Sequence, residues 1–210
     1  MRNQGSTAPF PGRFPGSPDE ELWPARPFEP ERRFGRIAPL EIEIGSGKAR
    51  FLIAAARAHP DRDFLGVERS LSYYRLCRDR VDRSMLLNAA ALRADGRLFV
   101  ETALRAGSVA AFHVYFPDPW PKKKQRKRRL LDGVFLEAAA SRLSPGGILR
   151  IATDHPDYGR ELDSLVETVA TLDRLAWDDL PAPPPTNYEL KYAQEGRAIW
   201  RFLLRRRENS

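Results

Sequence analysis

A repeating unit governs what this chain can become: a short apolar, β-prone segment runs into a glycine turn or an acid, and a stretch of helical period follows. Leu40-Glu41-Ile42-Glu43-Ile44 alternates like a strand and meets Gly45-Ser46-Gly47-Lys48, after which Phe51, Leu52, Ala55 and Ala56 recur at helical spacing. Residues 63–68 form a second such segment ending in Glu68, and 71–87 reads as an amphipathic, arginine-rich helix whose polar face suits solvent. Residues 89–94 end at Asp95-Gly96, with a short helix over 98–104; residues 109–116 end near Asp118, with a helix over 128–143. After the turn Ser144-Pro145-Gly146-Gly147, residues 148–154 finish at Asp154, and 158–169 is again helical. The last candidate strands are 172–177 and 198–205, separated by a proline-rich break at 181–185. The alternation predicts an α/β fold, a mostly parallel open sheet of about seven strands with helices on both faces.

Sheets of this kind bind ligands beyond the C-terminal ends of their strands, which is where the pattern puts its acids. Glu68 follows Glu43 by 25 positions, the spacing at which nucleoside-binding α/β folds place a carboxylate on ribose hydroxyls. A carboxylate accepts two hydroxyl hydrogen bonds better than a neutral side chain does. Gly45 and Gly47 let the backbone turn sharply and approach a ligand. Gly-Ser-Gly-Lys is not a nucleoside-triphosphate phosphate loop: the G-x-x-x-x-G-K-[ST] spacing is absent, and Ala49 stands where Ser or Thr would hold magnesium. Glu68, Asp95 and Asp118 are expected to share one cleft along the strand ends.

The next signal is Phe116-Pro117-Asp118-Pro119-Trp120-Pro121 followed by Lys122-Lys123-Lys124-Gln125-Arg126-Lys127-Arg128-Arg129. Proline fixes its own φ and biases its predecessor away from helix, so Asp118 is expected in a rigid extended turn. Trp120 has two readings, a base-stacking platform or an indole packed beside prolines. The chain has 35 Lys and Arg against 28 Asp and Glu, and residues 122–129 carry seven of those cations. Without them the charges balance, so the excess is a local feature that fits a polyanion, nucleic acid first and an acidic membrane surface second.

The remaining totals narrow the class. At 210 residues the chain fits one domain with a tail. The lone Cys77 excludes an intramolecular disulfide framework and fits a reducing, cytoplasmic compartment. No stretch approaches the roughly 18 apolar residues of a membrane span. His59, His113 and His155 lie far apart without a cysteine pair, so no metal site is expected. Residues 1–35 hold seven prolines and no regular period, which predicts a flexible tail ahead of a domain over 36–210. Arg26, Arg32, Arg33 and Arg36 give that segment at most weak affinity for phosphate.

Over about residues 40–205 the chain resembles the tRNA (guanine-N7-)-methyltransferases of the bacterial single-subunit type, which carry the Rossmann-like class I methyltransferase fold. The most specific stretch is Phe116-Pro117-Asp118-Pro119-Trp120 with Lys122, Lys123 and Lys127-Arg128-Arg129. Glu43-Ile44-Gly45-x-Gly47, Gly66-Val67-Glu68, Ala152-Thr153-Asp154 and Thr186-x-Tyr188-Glu189 follow in the family's order. The resemblance implies S-adenosyl-L-methionine as cofactor, with Glu43, Gly45, Gly47, Glu68, Asp95 and Asp118 at the positions that hold it and Asp118 also catalytic. It implies tRNA as partner, with Lys122, Asp154, Thr186, Asn187, Tyr188 and Glu189 at substrate-contacting positions. Lys124, Gln125, Arg126, Lys127, Arg128 and Arg129 match an RNA-interaction stretch. The implied reaction is methylation of guanine N7 at tRNA position 46, in the variable loop, by a monomer or weak homodimer. Three positions depart from the family: Ala49 replaces a common glycine, Asn187 a common lysine, and the prolines at 183–185 stand near a common arginine. Two alternatives remain at this stage, a methyltransferase acting on another base or amino group, and a non-catalytic RNA-binding protein on the same fold.

Overall fold

The computed structural model describes residues 27–208. Seven strands form one sheet in the order β3-β2-β1-β4-β5-β7-β6. They are β1 (Leu40–Ile44), β2 (Asp63–Glu68), β3 (Ala89–Arg93), β4 (Val109–Tyr115), β5 (Leu143–Thr153), β6 (Leu172–Leu175) and β7 (Trp200–Arg206). The first five pair in parallel, whereas β7 lies antiparallel to both β5 and β6. The expected mostly parallel α/β sheet is therefore present.

Helices cover both faces because the central parallel strands are buried on both sides. α2 (Arg50–Ala58) and α3 (Leu71–Ser84) bury Phe51, Leu52, Tyr74 and Cys77 on one face. α4 (Gly96–Thr102), α5 (Gly133–Arg142) and α6 (Pro156–Val166) bury Phe99, Phe135, Leu136, Tyr158 and Leu162 on the other. Burying each such side chain contributes roughly 1.5–3 kcal/mol. The chain changes face between β1 and β4, so their C-terminal ends flank the switch point at which such sheets bind ligands.

β1 alternates as its sequence does, yet both of its faces are buried. Ile42 and Ile44 enter one core, while Glu41 is buried on the α2 side between Arg62 Nη1 at 2.6 Å and His113 Nε2 at 2.8 Å. Burial alone would raise the Glu41 pKa, but the His113 and Arg62 partners outweigh it and bring the carboxyl down to about 2. His113 Nδ1 bonds the Tyr115 hydroxyl at 2.9 Å, so this polar chain is satisfied inside the sheet.

Three expectations are corrected. Part of the expected tail is packed: α1 (Pro30–Phe34) carries Phe34 into the core, and Phe28 meets Phe99 edge-on with ring centroids 5.6 Å apart. In the same segment Arg36 Nε donates to Asp63 at 2.8 Å, and Arg33 is buried against the Phe34 ring. Residues 1–26, including Arg26, lie outside the described residues. The basic run does not open a long helix over 128–143; it forms a 3-10 helix over Lys123–Arg128, and α5 starts only after the Asp132 carboxylate accepts the Phe135 amide as N-cap. Finally, the segment after the proline break is helical, α7 (Asn187–Gln194), where no element was expected.

Candidate active site at the strand ends

The glycine turn after β1 is built as a cradle. Gly45 has φ +84° and Gly47 φ +49°, and a Cβ added to Gly45 would meet nothing within 4 Å, so the backbone faces open space. Glu68 organises this turn from β2: one carboxylate oxygen accepts the Gly47 amide at 3.0 Å and the other the Ser70 amide at 2.8 Å. Each oxygen keeps a further lone pair, the capacity that diol recognition requires. Ala49, the departure from the family pattern, is fully buried in the left-handed region at φ +57°, where a glycine would be unstrained.

Glu43 lies beneath the turn rather than open to it. The residue is 5% exposed, and one carboxylate oxygen is buried with no hydrogen-bond partner. Burial first, and the like charge of Glu68 second, push its pKa well above the ordinary carboxylate range, against the Leu52 amide and the Ser46 hydroxyl. The parallel register sets Glu43 beside Gly66 of β2, and Gly66 is itself constrained, since a Cβ there would fall 2.5 Å from Ser46 Oγ and 2.7 Å from Leu52.

Asp95 caps α4 by accepting the Leu98 amide at 3.1 Å and pairs with Arg69 at 3.5 Å. Asp118 differs from the other acids in being exposed, with no hydrogen-bond or ion-pair partner among the described residues. Its loop is held in an uncommon shape: Phe116 at φ +51° and Trp120 at φ +39° are both left-handed non-glycine residues. Such conformations persist only where surrounding structure fixes them. Here the Phe116 amide donates to the Ala152 carbonyl at 2.7 Å, and Arg129 Nε donates to the Pro119 carbonyl at 2.8 Å. The turn expected from the prolines is thus rigid, but two residues beside the prolines give it its bend.

Of the six residues expected to meet RNA, five face solvent or its margin and one does not. Lys124, Arg126, Lys127 and Arg128 are exposed and Gln125 partly so. Arg128 lies over the Trp120 ring at 5.0 Å, so this half-buried indole is covered by a cation and is neither core nor a free platform. Arg129 is 2% exposed and ion-paired with Glu161, with its guanidinium 4.4 Å from the Tyr158 ring centroid. It pins the run to α6 and is not available to a ligand.

The late motif divides in the same way. Thr186 is buried and caps α7 by accepting the Glu189 amide at 3.0 Å, and Glu189 accepts Arg201 of β7 at 2.8 Å. Both are fasteners. Asn187 and Tyr188 point outward, and Tyr188 joins Phe116 and Tyr192 in an aromatic triangle with centroids 5.3–5.9 Å apart. Asp154 accepts Arg197 at 3.0 Å, and Arg197 lies 4.6 Å from the Tyr192 ring centroid, which links the end of β5 to this triangle. Lys122 is exposed, at the start of the basic run. Sequence reasoning missed Tyr192 and Arg197 and quoted Phe116 only as part of its motif; the four-residue spacing of Tyr188 and Tyr192 was the signal for one helix face.

The residues fit a methyl donor built from a sulfonium amino acid and a nucleoside: a glycine cradle with open space, the Glu68 carboxylate with free lone pairs, and the unpaired Asp118 carboxylate. No helix among the described residues is long and apolar enough to cross a membrane, and no group of three metal-ligating side chains occurs among them.

Comparison with known proteins agrees with this geometry. The family model described as "Putative methyltransferase" matches residues 37–202. The tRNA (guanine-N(7)-)-methyltransferase of Methylococcus capsulatus is 36% identical over 198 residues, 89% of this chain and 86% of that protein. The enzyme of the same name from Thiobacillus denitrificans is 33% identical, covering 86% of this chain and 83% of that protein. Among solved structures, a precorrin-6y C5,15-methyltransferase from Geobacter metallireducens superposes with a TM-score of 0.55 at 12% identity, over 81% of this chain and 82% of that one. The 16S rRNA methyltransferase KamB superposes with a TM-score of 0.54 at 16% identity, over 82% and 88%. The structural likenesses bear on the fold alone, and the sequence matches carry the assignment: the chain belongs to the tRNA (guanine-N(7)-)-methyltransferase family.

Proposed function

We propose that the protein transfers a methyl group from S-adenosyl-L-methionine to N7 of a guanine in tRNA, at position 46 in the variable loop. The reading is carried by Asp118, an exposed and unpaired carboxylate fixed between two left-handed residues at the switch point of a methyltransferase-family sheet. The cofactor supplies an electrophilic methyl on a sulfonium. Glu68, Asp95 and the Gly45 to Gly47 turn would hold it, with Glu43 supporting the turn from below. Guanine N7 has an available lone pair and no proton at neutral pH, so the chain need supply no strong base, and alignment dominates. Asp118 faces the positive charge that develops on the purine, and it stabilises that charge without moving during the reaction. Lys122, Asp154, Asn187, Tyr188 and the exposed cations of 122–128 position the RNA, largely through phosphates, which set register without reading sequence.

The test is methyl transfer to unmodified tRNA followed by nucleoside mapping, for the wild type and Asp118→Ala. N7-methylguanosine at position 46 is expected with the wild type. The variant should lose on the order of 10²–10³ in turnover, the usual cost of removing a charge-stabilising group, while binding tRNA about as well. Near-normal turnover of Asp118→Ala would overturn its catalytic role. A methylated exocyclic amine in place of N7 would overturn the reaction itself.

A further inference from the structure

A second cationic surface lies on the outer sides of α2 and α3 and reaches the glycine turn after β1. A groove of about 590 Å³ is lined there by Lys48 from the glycine turn, Arg50 and Arg57 of α2, Arg80 and Arg83 of α3, and Asn187 of α7. Arg50 and Arg57 are two helical turns apart, and Arg80 and Arg83 one turn apart, so each helix presents its pair on one side. All five cations are exposed and no acid lines the groove.

Several of the molecule's arginines are neutralised by acids across the fold, and the groove cations are not. Arg62 pairs with Glu41, Arg97 with Asp132, Arg174 with Asp163 and Arg197 with Asp154. None of the five groove cations forms an ion pair among the described residues. Arg80 instead donates to the Lys48 carbonyl at 3.0 Å and Arg83 to the Asp79 carbonyl at 3.0 Å. Those bonds fix the direction of two guanidiniums and leave their charge uncompensated. Clustered like charge costs the folded state free energy, and a shallow surface of clustered guanidiniums, two of them held in direction, matches the oxygens of phosphate.

Glu68, Asp95 and Asp118 do not line the groove, which adjoins the methyl-transfer cleft at Lys48 of the glycine turn. Asn187 nevertheless belongs to both regions, being the neighbour of Tyr188 in the aromatic triangle beside Phe116. We propose that the groove is a second docking surface for the tRNA substrate, taking the sugar-phosphate backbone of a segment distant from the methylated base while residues 122–128 hold the nearer one. The inference rests on the tRNA methyltransferase reading above and adds a surface to it.

The test uses Arg57→Ala/Arg83→Ala, two exposed changes outside the cleft, with S-adenosyl-L-methionine binding by calorimetry as the check of folding. Affinity for unmodified tRNA is measured by fluorescence anisotropy across a salt series. Removing two phosphate contacts should weaken binding about tenfold near 0.15 M salt and flatten the slope of log affinity against log salt by roughly 2. KM for tRNA in the methylation assay should rise in parallel. Arg57→Lys/Arg83→Lys keeps the charge and should restore most of the slope. If the wild type methylates tRNA while the alanine pair binds it with unchanged affinity and slope, or if the lysine pair is as impaired as the alanine pair, the groove is not a docking surface. A wild type that does not methylate tRNA overturns the functional reading itself, and this inference with it.

Discussion

Asp118 and Glu43 are both acids at the end of a central strand, and their surroundings give them opposite characters. Asp118 stands exposed without a partner, whereas Glu43 is buried under the glycine turn with Glu68 nearby. Burial and the Glu68 charge raise the Glu43 pKa, so the folded protein binds this proton more tightly than the unfolded chain does. Its contribution is therefore fully present below the unfolded carboxylate value and is lost as pH rises through the folded one. Glu43→Gln mimics the neutral acid and should be as stable as the wild type near pH 4 and at least as stable at pH 8. Urea unfolding at both values measures this; a variant clearly less stable at pH 8 than at pH 4, relative to the wild type, would show that Glu43 is held as a carboxylate. The sequence shows both acids at strand ends, but their difference depends on neighbours from β2, α2 and α3.

Among the elements, α7 and the basic run show how fixed and free residues alternate in one short stretch. Thr186 caps α7 and Glu189 ties it to β7, which leaves Asn187 and Tyr188 to face outward. Thr186→Ala should loosen the helix by about 1 kcal/mol, the usual cost of losing an N-cap. Faster hydrogen exchange of the α7 amides and weaker tRNA binding should follow together, with Thr186→Ser restoring both. Exchange unchanged in the alanine variant would mean that packing on Phe116, not the cap, holds α7. The basic run is likewise anchored at one end: Arg129 bonds Pro119 and Glu161, and Arg97 secures the following turn through Asp132 and the Leu130 carbonyl. Seven consecutive-looking cations are thus six available ones and an internal pin. The motif signature flagged every one of these positions without distinguishing the two roles.

For the molecule as a whole, some arginines are neutralised across the fold, while two clusters of cations are not, the exposed ones of the run at 122–128 and those of the groove of α2 and α3. An assembly of this kind should bind tRNA with strong salt dependence. Replacing Lys123, Lys124, Arg126 and Lys127 by Ala should lower the salt slope by about 3 to 4, near 0.9 for each duplex phosphate no longer neutralised. Equilibrium binding across a salt series reads this directly, and an unchanged slope would reduce the run to a solvated face. The sheet supplies the frame for both surfaces, because its change of face between β1 and β4 sets the cleft among elements that carry the two cationic sets.

The sequence by itself determined the alternation of strands and helices, the acids at the strand ends, the glycine cradle and the cationic run, since each is a local signal of period, turn chemistry or charge. It did not determine that β1 is buried on both faces, that Phe28 and Phe34 join the core, that β7 lies between β5 and β6, or that a helix follows the proline break. Only the tertiary structure decided which charged groups are spent on one another and which stay free. Arg129 meets Glu161, Arg62 meets Glu41 and Arg36 meets Asp63 across separations of 21 residues or more, and pairing over such distances leaves no mark in the neighbouring sequence.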